Sequence, residues 1–354
     1  MDATTVGVDL AKNVFEIVVA DERFQIVERQ RLRRRHFAEF FANRPRSRVV
    51  METCGSAHHW ARTLSALGHE PVLLPAHYVR AYVRRNKTDR ADATALIEAS
   101  RCAELHPVPV KSVEHQLIQQ LHRMRTQWVS TRKARINLLR GCLREIGIVL
   151  PVGAPRGLTA LRGQLAALET DLPAALRPIL AEVLAEIAQL EQRIASVERQ
   201  LQALTCEDPI VQQLQSVPGV GLLTATALRA AIVEIQRFPS GRHLASWLGL
   251  TAREHSSGER RRLGRISKRG DTYLRTLLIH CARALLRAAS AAALQGRPPD
   301  RLRRWALGTI QRCGYNKATV ATANKLARII WATWRHARPF DGNWGRAELG
   351  CASS

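Results

Sequence analysis

Four acidic residues stand where an apolar stretch ends or a helix begins: Asp9 in T-T-V-G-V-D, Glu52 in R-V-V-M-E, and the pair Asp89 and Asp92 in N-K-T-D-R-A-D-A. Asp9 and Glu52 each follow a run that a sheet would bury, so both carboxylates are expected to emerge at strand ends. Asp89 and Asp92 are three apart, and on a helix residues at that spacing share a face. Carboxylates gathered at one point repel one another unless cations neutralise them. Hard oxygen ligands of this kind suit Mg2+, with Mn2+ as a substitute, and two such ions ~4 Å apart would clamp the attacking and leaving oxygens of a phosphodiester. Each acid alone has a plainer role as a strand end, a turn or a helix cap, and only the combination points to a metal site.

A second group lies far along the chain, in T-A-R-E-H-S-S-G-E-R-R-R-L-G-R-I-S-K-R-G-D. Ser256, Ser257 and Ser267 sit there among Arg253, Arg260, Arg261, Arg262, Arg265, Lys268, Arg269 and Arg275, against Glu254, Glu259 and Asp271. A serine hydroxyl in such surroundings could attack a phosphate whose charge the arginines neutralise, giving a covalent phosphoserine. Chemistry alone favours the milder role, in which serines of basic loops hydrogen-bond phosphate.

The elements that must position these groups follow from periodicity. Residues 4–9, 14–20 and 24–28 form an antiparallel meander of short β-branched runs. A helix near 36–43, a buried strand at 48–52, a helix over 58–67 ending at Gly68 and a strand at 71–74 then complete a mixed sheet. The first-strand Asp, the fourth-strand Glu and the Asp pair on a helix over 89–104 together form a ribonuclease-H-like arrangement. From about 114 the helices lengthen. Val183, Ile187, Leu190, Ile194, Val197, Leu201 and Leu204 alternate steps of four and three, a heptad seam. A coiled-coil hairpin is expected over 114–205, its loop carrying Pro151, Gly153, Pro155 and Gly157, and its seam meeting a second chain or another domain. V-P-G-V-G between two apolar helices is a helix-hairpin-helix pattern, whose Gly219 and Gly221 would let backbone N–H groups reach a phosphate. Helices resume over 272–293, 300–312 and 316–335. Trp60, Trp247, Trp305, Trp331 and Trp334 read as core residues, Arg33-Arg34-Arg35 as a solvated face, and Asn316, Lys317, Lys325 and Arg328 as a side facing nucleic acid.

The expected fold class is therefore α/β plus all-α. Residues 1–108 make a mixed-sheet nuclease domain, 109–206 a coiled-coil arm, 207–340 a mainly helical C-terminal domain, and 341–354 a disordered tail. With ~150 residues per domain, 354 residues suit such a division. Basic residues number 54 against 30 acidic, a net charge of +24, and 47 of the 54 are arginines. A large polyanion is the expected partner. Apolar runs such as Val72-Leu73-Leu74 fall short of the ~20 residues that span a bilayer, so a cytoplasmic protein without a membrane partner is expected. The seven cysteines are scattered and never spaced C-x-x-C, which argues against zinc and against a disulfide framework.

Taken together, V-G-V-D-L-A-K, M-E-T-C-G, N-K-T-D-R-A-D-A, V-P-G-V-G and L-G-L-T-A-R-E-H-S-S-G resemble the DEDD transposases of the IS110 insertion-sequence family. The likeness runs over roughly 5–335, and R-L-G-R-I-S-K-R-G-D-T-Y-L-R-T-L-L-I-H is similar to the IS1111 subgroup. It implies a RuvC-like domain, a coiled-coil arm and a C-terminal transposase domain. It further implies that Asp9, Glu52, Asp89 and Asp92 bind Mg2+ and that a serine matching Ser257 is the nucleophile, with the adjacent Ser256 as rival. The base, whether His255 or a metal-bound oxygen, stays open. Family members act on donor and target double-stranded DNA, are guided by a structured noncoding RNA of their own element, and assemble as dimers and tetramers that combine the acids of one chain with the serine of another. Two rivals remain on the residues alone: a RuvC-like nuclease or junction resolvase using metal-activated water, and a helix-hairpin-helix binding protein that cuts nothing.

Overall fold

The computed structural model describes residues 4–83, 89–151, 153, 159 and 172–342, and for Asp89 and Arg90 it describes the backbone only. Pro155, Gly157 and the tail beyond 342 lie outside the described residues. The chain divides into two compact units, residues 1–114 and 115–354.

The first unit is built on a five-stranded sheet in the order β3-β2-β1-β4-β5. Its strands are β1 (Thr5–Leu10), β2 (Val14–Ala20), β3 (Ile26–Arg33), β4 (Arg48–Glu52) and β5 (Glu70–Leu74). The meander β1-β2-β3 is antiparallel, whereas β4 and β5 run parallel to β1. Strand side chains alternate between faces, and the two faces bury different sets. Val6, Val8, Val49, Met51 and Leu73 pack with Phe37 and Phe41 of α1 (Phe37–Ala42) and with Trp60 and Leu64 of α2 (Ala57–Ala66). On the opposite face Val50, Val72 and Leu74 meet Ala95, Leu96 and Ala99 of a later helix, which is α4 once the short α3 (Ala76–Val79) is counted; α4 spans Asp89–Ser100.

β3 runs on to Arg33, well past the expected 24–28. It is an edge strand whose Glu28, Gln30 and Arg31 are charged or polar and largely exposed, which guards an open edge against pairing and hides the apolar alternation of a strand. The run Arg33-Arg34-Arg35 is not simply solvated either. The Arg34 guanidinium lies 5.9 Å from the Phe15 ring centre and 5.2 Å from that of Trp60, covering the aromatic core.

In the second unit the arm consists of α5 (Val113–Glu145) and α6 (Leu176–Thr205). The heptad seam does not wait for another chain: Ile187 joins Ile136, Leu139 and Leu143 of α5 in one core, and Val197 and Leu201 join Ile118 and Leu121 in another. Ion pairs Arg125–Glu198 (2.7 Å), Arg132–Glu191 (3.7 Å) and Arg135–Glu186 (2.6 Å) flank the seam in antiparallel order. Thirty-residue antiparallel helices bury each other's stripes, and Ala230, from beyond the arm, joins Val197 and Leu201 in the second of these cores.

The rest of the unit is α7 (Pro209–Gln215), α8 (Leu222–Ala231), α9 (Gly241–Trp247), a two-stranded ribbon of β6 (Ala252–Glu254) and β7 (Leu263–Ile266), then α10 (Thr272–Leu294), α11 (Arg301–Cys313) and α12 (Tyr315–Arg335). Asp208, Asp271 and Asp300 each cap the helix that follows by accepting backbone N–H groups. α10 is long and apolar enough to cross a membrane, yet Leu274, Leu278, Ala282, Leu285 and Leu286 belong to the core formed with α8 and α12. It reads as a core helix of this domain. Trp60 and Trp334 are buried as expected, and Trp247, Trp305 and Trp331 are half-buried and pack against the core.

Candidate functional site

In the first unit the carboxylates are organised by sheet register. β1 and β4 pair in parallel up to Val8 with Met51, and Asp9 and Glu52 are the next residue on each strand. Gly7 and Asp9 share a face because they are two apart, as do Val50 and Glu52. Both pairs face α4: a Cβ on Gly7 would stand 2.5 Å from the Ala93 carbonyl oxygen, and Val50 packs with Ala95 and Leu96. The absence of a side chain at Gly7 is what lets α4 lie close, and it brings Asp92, the residue before Ala93, to the same side of the sheet. Asp9, Glu52 and Asp92 are all half-buried. Asp89 begins α4, and its side chain lies outside the described residues.

A fifth acid shares this face. Glu16 is the cross-strand partner of Asp9 and is paired with Arg31 at 3.1 Å. Alternation along β2 would have revealed it, but V-F-E-I-V-V-A reads as a buried strand with one interruption.

Among the described residues no three His, Cys, Asp or Glu side chains stand close enough together to hold a metal ion. The donor chemistry nonetheless fits a hard divalent cation. Adjacent strands lie ~4.8 Å apart, so carboxylates on one rung can converge, and Mg2+ is commonly held by one or two carboxylates with substrate phosphate and water filling the remaining positions.

In the second unit the serine segment forms a β-hairpin. Ser257 and Arg260 exchange backbone hydrogen bonds of 3.3 and 3.2 Å around Gly258-Glu259, and the His255 N–H donates to the Arg262 carbonyl at 2.9 Å. Gly258 has φ +56, the positive value that a tight hairpin turn demands at its first central residue. Cross-strand partners share a face, and faces alternate along each strand. His255, Ser257, Arg260 and Arg262 therefore occupy one face, and Glu254, Ser256 and Arg261 the other.

That division separates the two serines chemically. The Ser256 hydroxyl donates to Glu254 Oε1 at 2.7 Å and accepts from the Arg262 N–H at 3.1 Å, while Arg261 Nε lies 3.5 Å from the same Glu254 oxygen. Ser256 is a brace across the hairpin. Ser257 is exposed, and its hydroxyl has no hydrogen-bond partner among the described residues.

The cations divide as well. Arg253, Arg260, Arg261, Arg262, Arg265, Lys268 and Arg269 are all exposed, Arg253 donating to the Ser267 carbonyl at 3.1 Å. Arg275 is not one of them. It is buried and spends its guanidinium on the carbonyls of Leu248 and Arg269, each at 3.1 Å, and on the Thr272 hydroxyl. It locks the root of the hairpin, together with two glycines of positive φ. A Cβ on Gly249 would meet the Arg269 carbonyl oxygen at 2.0 Å, and one on Gly270 the Trp247 carbonyl oxygen at 1.9 Å. The flanking L-G-L and R-G-D signalled this lock in the sequence.

At the V-P-G-V-G turn the close approach that Gly219 permits is to the protein itself: with φ +85, a Cβ there would stand 2.7 Å from the Cys281 carbonyl oxygen. Gly221 is exposed, precedes α8 with open space around it, and receives no side-chain cap, leaving the first-turn N–H groups of α8 as the donors an anion would meet.

Comparison with known proteins converges on one family. Residues 6–148 match a family model for DEDD transposases of IS110 type, described as "Transposase", and residues 211–295 match the model described as "Transposase IS116/IS110/IS902 family". The chain is 43% identical over 333 residues to a probable family 20 transposase of Pseudomonas aeruginosa, covering 94% of this chain and 97% of that one. It is 39% identical over 331 residues to the transposase for insertion sequence element IS1111A of Coxiella burnetii, covering 94% and 89%. It is 34% identical over 332 residues to the transposase for insertion sequence element IS1328 of Yersinia enterocolitica, covering 93% and 96%. With a mixed-sheet unit carrying the acids, a mainly helical unit carrying the serine hairpin, and full-length relatives of this kind, the chain belongs to the IS110 family of DEDD transposases, enzymes that cleave and join DNA.

Proposed function

We propose that this transposase exchanges DNA strands by transesterification, with Ser257 as nucleophile and Asp9, Glu52, Asp89 and Asp92 as ligands of Mg2+, for which Mn2+ can substitute. The observation that carries the reading is the hairpin tip, where an exposed, unengaged Ser257 hydroxyl shares its face with His255, Arg260 and Arg262 while the neighbouring Ser256 is held by Glu254. When bound, Mg2+ would polarise the scissile phosphate and neutralise charge that builds on its oxygens.

Ser257 Oγ forms the new bond to phosphorus as the phosphorus–oxygen bond to deoxyribose breaks. The serine proton passes to a base, for which His255 is the candidate on the same face, and the departing deoxyribose oxygen takes up a proton and leaves as a hydroxyl. Arg260 and Arg262 balance charge on the non-bridging oxygens, and the exposed Arg253, Arg261, Arg265, Lys268 and Arg269 hold flanking phosphates. Because the phosphoserine ester keeps the energy of the broken bond, a hydroxyl from the other duplex can attack it, restoring Ser257 without ATP.

The ribonuclease-H-like, RuvC-type arrangement of the first unit and the helix-hairpin-helix role of Gly219 and Gly221 belong to this reading. So do the division into a nuclease domain, an arm and a C-terminal transposase domain, guidance by an element-encoded noncoding RNA, and assembly as dimers and tetramers on donor and target DNA in the bacterial cytoplasm. The net charge of +24 suits more than one polyanion.

The test is denaturing electrophoresis of the protein incubated with labelled element-end DNA, guide RNA and Mg2+. A covalent protein–DNA band is expected with the native chain and is expected to vanish with Ser257→Ala. A band that survives this substitution would overturn the assignment of the nucleophile.

A further inference from the structure

The root of the serine hairpin walls a cavity of about 560 Å3, into which Ala252 of β6, Ile266 of β7, Trp305 of α11 and three cations of α12, Lys317, Lys325 and Arg328, all project. A second cavity of about 530 Å3 is lined by the same Lys325 and Arg328, with Arg242 and one acid, Asp341. The two make a cationic groove along α12.

Its charge is unbalanced. No salt bridge is formed by Lys317, Lys325 or Arg328 among the described residues. Some half-buried cations of this unit are matched by acids, Arg125 by Glu198 and Arg229 by Asp208, and others spend their donors on carbonyls, as Arg140 does on Pro151 and Gly153. The Lys325 ammonium instead sits 4.3 Å from the centre of the Trp305 ring, and burial, then Arg328 and Arg301, push its pKa down. Crowded like charges raise the free energy of the charged state, and an anion placed among them recovers it. Asn324 spends one amide N–H on the Leu250 carbonyl at 3.1 Å.

We propose that this groove binds the phosphodiester backbone of the DNA strand on which Ser257 acts, at a phosphate several nucleotides from the scissile one. The identity of the strand rests on the serine reading above; the anion chemistry does not. Ala252, on the groove wall, is five residues from Ser257 along one hairpin strand. At ~3.3 Å per residue that is ~17 Å, or about five base-pair steps of ~3.4 Å. Trp305 holds Lys325 in place from beneath, so the ring supports the cation and is not a stacking platform for a base. The hairpin is thus clasped at its tip and at its root by the same duplex.

The experiment compares the full-length protein with Lys317→Gln/Arg328→Gln. Both residues are exposed, so the double variant leaves the core intact, and a matching thermal melt verifies this. Fluorescence anisotropy is followed across a salt series with a duplex DNA and with a single-stranded RNA of equal length as probes. The expected result is at least about a tenfold loss of duplex affinity, a salt slope smaller by about 0.9 for each lost phosphate contact, little change on RNA, and recovery in Lys317→Arg/Arg328→Lys. An unchanged duplex affinity and slope would overturn the proposal, and a loss confined to RNA would overturn the assignment to DNA. A native protein that forms no covalent adduct would sink the serine reading while leaving the groove measurement standing.

Discussion

Asp9 and Glu52 occupy the same rung of two adjacent parallel strands, one residue beyond the last paired position, and both face the helix that carries Asp92. The parallel register brings together two acids separated by 43 positions in the chain. Neutralising either one would remove a proposed Mg2+ ligand and leave the sheet, since both side chains are only half-buried. Asp9→Asn and Glu52→Gln are each expected to lower Mg2+-dependent cleavage by about two to four orders of magnitude, corresponding to several kcal/mol of transition-state stabilisation. Single-turnover cleavage of labelled DNA measures this, and duplex affinity without Mg2+ should stay the same.

Gly7 sets the distance from β1 to α4. Gly7→Ala would put a Cβ 2.5 Å from the Ala93 carbonyl and 2.9 Å from Ile97 Cγ1. Overpacking of this kind costs about 1–3 kcal/mol, and the relief available is to push α4 and Asp92 away from the sheet. A lowered melting temperature accompanied by loss of metal-dependent cleavage is expected. A variant that melts earlier and cleaves normally would show that the position of α4 is not critical.

Ser256 and Ser257 should differ in kind. Ser256→Ala removes the brace to Glu254 and to the Arg262 N–H, a loss of about 0.5–1.5 kcal/mol at the tip of an exposed hairpin whose root stays locked by Arg275. Adduct formation should slow but continue, and Glu254→Gln should show the same partial defect. Ser257→Ala should abolish the adduct with no change in thermal stability. Equal and complete loss in both serine variants would show that the brace is as essential as the nucleophile.

His122 is held neutral at the foot of the arm. The Thr226 hydroxyl donates to the Leu222 carbonyl at 2.8 Å, so it accepts from His122 Nε2–H at 2.9 Å, and Nδ1 accepts from the Tyr273 hydroxyl at 2.9 Å. Burial, and then Arg125, lower the His122 pKa to about 4 from 6.5. Unfolding exposes a ring that takes up a proton below pH 6.5, so this residue's contribution is complete above that value and is lost as pH falls from 6.5 to about 4, by up to about 3 kcal/mol. His58, lowered to about 4 mainly by burial, acts in the same direction in the first unit. Denaturant titrations at pH 7.5 and 5 of the native chain and His122→Leu isolate the effect. The variant should be less stable at pH 7.5 and should lose less on acidification.

Most local elements were legible in the sequence, because the signals for them are local. β-branched runs marked β1, β2, β4 and β5, and heptad spacing marked the arm, whereas the charged edge strand β3 and the ribbon β6-β7 carry no such run. The motifs with Asp9, Glu52, Asp89, Asp92 and Ser257 located the candidate chemistry, and with it the family.

Tertiary structure decided whatever depended on what each residue faces. The heptad seam and its hairpin were visible, but that Ala230 of α8 joins Val197 and Leu201 in covering it was not, because a stripe does not name all its partners. Arg275 looked like its exposed neighbours until the fold turned it inward onto the Leu248 and Arg269 carbonyls. Ser256 and Ser257 are equivalent by spacing. Only cross-strand pairing, which assigns successive residues to opposite faces, commits one hydroxyl to Glu254 and leaves the other unengaged among the described residues.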